Sequence, residues 1–254
     1  MSISTFFCDP ANIDNAALFC QLSPSGNTYL DAFSTAVVWT LELSLIAWIL
    51  AFVVGVAVGI GLTSQNRLVS RFCSGYVELF RNIPLLVQLF LWYYVVPQVL
   101  PASLGKAIIG MPYPSSVFWP AVLCLGLFTS SRIAIQLSSG IRSLPRGQSM
   151  AATALGLTRF QMYKYVLLPM AMRIITPPLT SEMLNLLKNS SVAYTIGLLE
   201  ITGAAASMQE STFQTFPSYL AATALYVIIN LLILVIMSAV ERFFSVPGFI
   251  SGKG

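Results

Sequence analysis

Long apolar runs separated by short polar connections dominate this chain. A bilayer core of about 30 Å takes roughly 20 apolar residues per helix, and five runs are long enough: approximately 33–62, 77–99, 117–139, 174–199 and 219–240. The second and fourth are the least regular, with Arg81 and Pro84 in one and Pro177, Pro178 and Lys188 in the other. The pattern predicts an all-α membrane protein with five transmembrane helices. Between the third and fourth runs lies a polar insert, 140–173. Its residues 148–157 are mostly good helix formers, Pro145 and Pro169 bound the unit, and Gly156 permits close backbone approach. A short helix along the membrane face is expected there. On composition alone it is best read as an interfacial segment resting on lipid.

Composition agrees with the pattern, since 56% of residues are apolar, 9% are charged, and mean hydropathy is +0.79. The basic residues then give an orientation. Asp9, Asp14 and Asp31 precede the first run without any Lys or Arg, whereas Arg67 and Arg71 follow it. Lys106 stands alone in the next connection, and Arg142, Arg146, Arg159, Lys164 and Arg173 crowd the polar insert. Glu200 and Glu210 mark an external loop, and Arg242 with Lys253 marks the final segment. The bias predicts an external N-terminal tail over 1–32, a membrane domain over 33–243 with its insert in the cytoplasm, and a cytoplasmic tail over 244–254. No basic segment followed by an apolar core begins at Met1, so the first run is expected to act as its own insertion signal.

Catalytic chemistry is thinly represented. The chain has no His, no CxxC pair, and no phosphate-binding loop of the G-x-x-x-x-G-K-S/T type. Neither a metal nor an ATPase site of its own is expected, so nucleotide-driven work falls to another subunit. Cys8 and Cys20 in the tail can form a disulfide or remain thiols, while Cys73 and Cys124 read as ordinary membrane residues.

Polar residues inside the runs are costly and invite functional readings. Glu78, Arg81 and Gln88 fall on one helix side; Thr129, Arg132, Gln136 and Ser139 share another; Ser181, Asn185, Lys188 and Thr195 form a third stripe, with Glu182 beside it. Such stripes should face one another, a water-filled cavity, or a partner. Glu78 and Arg81 read as a structural ion pair, and Glu42 as a paired or protonated packing residue. Arg132 is read either as facing a cavity or as snorkelling to the headgroups. Lys188, about 21 Å into its helix, needs a partner or cavity. Arg81, Arg132 and Lys188 balance Glu42, Glu78 and Glu182, so net charge does not select the sign of a substrate.

Three spaced motifs carry a resemblance. Ala151-Ala152-Thr153-Ala154-Leu155-Gly156, followed by Val166-Leu167-Leu168-Pro169, resembles the EAA loop of ATP-binding-cassette (ABC) importer permeases. Residues 78–88, with Glu78, Phe80, Arg81, Pro84, Leu85 and Gln88, are similar to the E-x-F-R-G-T-P-L-x-x-Q signature of the polar amino-acid branch. Pro177-Pro178-Leu179 and Leu187-Lys188-Asn189-Ser190-Ser191 match that branch further on. The likeness covers about 35–242. It implies a type I importer permease fold in the bacterial inner membrane, with a cytoplasmic coupling helix between helices 3 and 4. The implied partners are two ATPase subunits that bind ATP and Mg, a second permease chain (a paralogue or a second copy), and a periplasmic amino-acid-binding protein, besides membrane lipid; no nucleic acid is implied.

The resemblance assigns ATPase coupling to Ala151, Ala152, Leu155, Gly156 and Pro169. Arg132, Ser181, Asn185, Lys188, Glu182 and Gln88 become substrate-pathway candidates. Met150 stands where the loop usually carries Glu; Ile135 and Ser138 replace an acidic and a basic residue found in many relatives, with Arg132 one turn earlier. That arrangement most resembles the glutamate/aspartate permeases. Permeases for glutamine, asparagine or basic amino acids are the alternative within the family. An ion-coupled secondary transporter or a membrane scaffold is the alternative outside it.

Overall fold

The computed structural model describes residues 18–21 and 26–244, and no β-strand occurs among them. Cys8, Asp9, Asp14, Lys253 and most of both predicted tails lie outside the described residues. After a 3-10 turn at Leu18–Cys20, the helices are α1 (Tyr29–Leu62), α2 (Arg67–Asn82), α3 (Leu85–Val99), α4 (Ala102–Ile109) and α5 (Ser115–Ser143). They are followed by α6 (Arg146–Ala154), α7 (Arg159–Met162), α8 (Leu168–Asn189), α9 (Ile201–Thr212) and α10 (Thr215–Phe244). Helices α1, α5 and α10 are long and apolar enough to cross a membrane; α2 with α3 makes a fourth if the interrupted pair is one span.

The expected uninterrupted second span over 77–99 is corrected. Asn66 caps α2 by accepting the Leu68 N–H at 2.9 Å, and the helix stops where Ile83 turns extended (φ −94°, ψ 129°) before Pro84. Proline excludes its predecessor from the helical region and supplies no N–H of its own. The fourth run also differs from 174–199: α8 starts at Leu168 and ends at Asn189, beyond which Ser190–Ile196 tightens into a 3-10 turn closed by Gly197 at φ +94°. Two π-helical turns, Leu91–Val95 and Tyr163–Leu167, each end two residues before a proline, Pro97 and Pro169. The wider turn lets the helix pass a residue that cannot donate to the carbonyl four positions back.

The chain divides into two compact units, to each of which α1, α5, α8 and α10 contribute. One comprises 1–47, 85–125 and 186–231. Leu43, Leu125, Leu186, Leu187, Leu198, Ile201 and Met208 are fully or almost fully buried there. The Thr40 hydroxyl donates to the Ala36 carbonyl at 2.9 Å and accepts the Ile201 N–H at 3.2 Å, fixing the start of α9 to α1. Cys20 is buried and disulfide-bonded.

The other unit comprises 48–84, 126–185 and 232–254. Here α1 meets α5 through Gly55 and Gly59, one helical turn apart. A Cβ at Gly55 would lie 2.8 Å from the Ile133 side chain and 2.9 Å from the Ser130 carbonyl; at Gly59 it would lie 3.0 Å from Leu137. Small residues at this spacing let two membrane helices approach closely, so that dispersion contacts replace the hydrophobic drive missing in lipid. Gly55→Leu is expected to destabilise the purified protein by about 1–3 kcal/mol through overpacking, read as a lowered thermal unfolding midpoint in detergent. Gly75→Ala, where an added Cβ meets nothing within 4 Å, should leave the midpoint unchanged.

Candidate functional site

One charged cluster joins α5 to α8. Arg132 Nε donates to Glu182 Oε2 at 2.6 Å, and Gln136 Nε2 donates to Glu182 Oε1 at 2.9 Å. Both oxygens of a carboxylate only 6% exposed are thus occupied, while the Arg132 side chain remains 44% exposed. The two terminal guanidinium nitrogens make no hydrogen bond among the described residues and form an open fork. A fork of that shape suits a carboxylate. Its charge is already partly met by Glu182, which weakens any anion it holds.

Helical spacing puts Arg132 and Gln136 on one face of α5, and packing brings Glu182 of α8 to both. Ser181 is exposed and Asn185 half-buried in the same unit. Lys188 is exposed and Gln88 is 3% exposed in the unit formed by 1–47, 85–125 and 186–231. Among the described residues Glu78 and Arg81 form no ion pair with each other; both are exposed on α2. Glu42 is exposed on α1, without a hydrogen bond or ion pair among the described residues.

Glu200, which the charge pattern expects at an external loop, is fully buried as the N-cap of α9. It accepts the N–H groups of Thr202 and Gly203 at 3.0 Å each and the Tyr226 hydroxyl at 2.6 Å. Two helix-terminal donors and a phenol replace its hydration. The signal was present in the sequence as an acidic residue immediately before a helix-forming stretch.

The polar insert folds as α6 over Arg146–Ala154, starting and stopping earlier than 148–157. Its end is built by Gly156 at φ +74°: the Leu157 N–H bonds the Ala152 carbonyl at 3.1 Å, and the Gly156 N–H bonds that of Thr153 at 2.9 Å. These are the two bonds of a Schellman cap, which needs a left-handed residue. A Cβ at Gly156 would meet nothing within 4 Å, so within this chain the glycine serves conformation, not the expected close approach. Ala152 is 3% exposed, whereas Met150, Ala151, Leu155 and Pro169 are exposed. Leu155, at 81% exposure, and Met150, at 69%, are large apolar side chains that the chain itself leaves uncovered.

Residues 43–246 match the family described as the binding-protein-dependent transport system inner membrane component. The chain belongs to this family. This inner membrane component is 46% identical to the glutamate/aspartate import permease protein GltJ of Escherichia coli, over 94% of its own length and 98% of the relative's. It is 33% identical to the nopaline transport system permease protein NocM of Agrobacterium fabrum, over 78% of its length and 81% of that chain. It also superposes on a crystal structure of an amino acid ABC transporter with histidines at a TM-score of 0.70, with 29% identity, 84% of this chain covered and 94% of the other. It is an ABC importer permease.

Proposed function

We propose that this permease carries glutamate or aspartate across the bacterial inner membrane. The open Arg132 fork, held by a Glu182 carboxylate that Gln136 holds in turn, is the observation that carries the reading. The resemblance to a glutamate/aspartate permease supports it. Two such permease chains enclose the pathway, a periplasmic binding protein delivers the amino acid, and two cytoplasmic ATPases with ATP and Mg drive the cycle. The chain crosses five times with its N-terminus outside and its C-terminus in the cytoplasm, and α8 completes the five. Helix α6 is the coupling helix; it presents Ala151, and the Leu155 that follows it, to the ATPase, while Gly156 caps that end.

In this mechanism Arg132 takes a substrate carboxylate on its two free nitrogens while Glu182 shares its charge. The resulting hold is weak, as release to the cytoplasm requires. Ser181 and Asn185 on α8 offer further polar contacts, and Lys188 follows on the same helix. ATP binding brings the ATPases together; α6, clamped at its end by the Gly156 cap, transmits the movement to the membrane helices.

The test is uptake by the assembled transporter in vesicles. Uptake of glutamate and aspartate should exceed that of glutamine and arginine, stop without ATP, and survive collapse of ion gradients. Preferred glutamine or arginine uptake would move the substrate to another branch of the family. Uptake that follows the ion gradient instead of ATP would place the protein in the secondary-transporter class.

A further inference from the structure

A cleft of about 500 Å³ opens in the second unit where α1 ends and the segment α7 to α8 begins. Its lining is of two kinds. Ile60, Met162 and Leu168 supply apolar wall, while Arg159 and Lys164 supply two cations and no carboxylate lines it. Helix α1 passes here from an apolar span of mean hydropathy 2.7 to the polar run Thr63-Ser64-Gln65-Asn66. The cleft therefore lies at a membrane–water boundary, where an amphipathic ligand with an anionic head and an apolar tail is the chemistry available.

The walls are fixed by bonds that do not depend on a ligand. The Tyr163 hydroxyl donates to the Thr63 carbonyl at 3.1 Å and lies 3.0 Å from the Thr63 hydroxyl, tying the end of α1 to the π-helical turn. Arg159 opens α7 behind a capping box in which Thr158 and Gln161 bond reciprocally. The Lys164 ammonium sits 5.9 Å from the Phe160 ring centre and 5.3 Å from that of Tyr165. Both rings are largely exposed, at 73% and 61%, as aromatic residues are at membrane interfaces. Neither Arg159 nor Lys164 forms an ion pair among the described residues. Two cations that line an apolar cleft, without acidic partners among the described residues, are open to an anionic ligand.

We infer that this cleft binds the phosphodiester head of an acidic phospholipid between Arg159 and Lys164, with the first acyl carbons against Ile60, Met162 and Leu168. Its volume lies in the range that accommodates a ligand of headgroup size, and a basic pocket between membrane helices is the chemistry that selects anionic lipid over zwitterionic. The site is separate from the Arg132 cluster and does not depend on which amino acid is carried. By bridging α1 to the start of α8, a bound lipid would stiffen the connection leading from the polar insert into the membrane.

The purified transporter complex is titrated with phosphatidylglycerol and, separately, phosphatidylcholine, and bound lipid is counted by native mass spectrometry. Phosphatidylglycerol should bind more tightly. Arg159→Gln and Lys164→Gln should each weaken it about fivefold, and the double variant about twenty-five-fold, at about 1 kcal/mol per cation. Arg71→Gln, which removes a cation of α2 that does not line the cleft, should leave binding unchanged. Excess inorganic phosphate should not displace the lipid, since it lacks the tail. Four results would overturn the inference: unchanged lipid binding in the double variant, an equal loss in Arg71→Gln, displacement by inorganic phosphate, or loss of the ATPase subunits from the double variant with lipid still bound. The last would assign the cleft to a protein partner. None of these outcomes alters the substrate proposal, which is read by uptake and not by lipid count.

Discussion

Gly156→Val should reduce ATP-driven uptake about tenfold or more, whereas Gly156→Asn should retain most of it. The backbone at this position has φ +74°, where an ordinary L-residue costs roughly 1–2 kcal/mol and a β-branched one is a frank outlier. Valine would release the Schellman cap and let the last turn of α6 unwind, moving Leu155 from its place. A cost of about 1.4 kcal/mol changes a docking equilibrium tenfold. Asparagine tolerates the left-handed region and keeps the cap. The measurements are uptake in vesicles and the ratio of ATPase to permease in the purified complex. Equal loss in both variants would mean that the missing side chain, and not the backbone angle, is what the ATPase requires. That result would restore the close-approach role expected from the sequence.

Arg132→Ala is expected to abolish glutamate and aspartate uptake, but it also strands Glu182. A buried carboxylate that loses its cation costs about 3–5 kcal/mol, so the single variant can fail by instability. The pair Arg132→Gln with Glu182→Gln removes both charges while preserving hydrogen-bonding groups for Gln136. This double variant should insert, assemble with the ATPases and unfold near the wild-type temperature, yet lose acidic amino-acid uptake. Wild-type uptake by the double variant would remove Arg132 from recognition. Glu182→Gln alone should act oppositely at the binding step, since an arginine without its counter-charge holds an anion more tightly. The expected signature is a lower KM together with a lower maximal rate, because release is slowed.

The two variants separate the carriers of the mechanism. The double change at Arg132 and Glu182 affects which molecule is held without touching the polar insert. Gly156→Val affects force transmission and should reduce uptake of every substrate alike. A variant that altered selectivity through Gly156 would contradict the division of labour between the two regions.

Much of this protein was determined by sequence. The long runs specify membrane helices because lipid offers the backbone no other partner, and α1, α5 and α10 appear where their apolar length requires. The spacing of Arg132 and Gln136 on one helix, with Glu182 on another, was legible because helical periodicity is local. Motif order along the chain was enough to point to the family. Tertiary structure decided what each polar residue does, since that depends on neighbours remote in sequence. It put Glu182 beneath Arg132, left Glu78 and Arg81 apart, and buried Glu200 as a helix cap joined to Tyr226. It also turned Gly156 into a left-handed cap, because a backbone angle is set by the bonds at both ends of a turn and not by residue type alone. Periodicity says which residues share a helix face; only packing decides what that face meets, and the low dielectric of the membrane makes that choice costly for every charge.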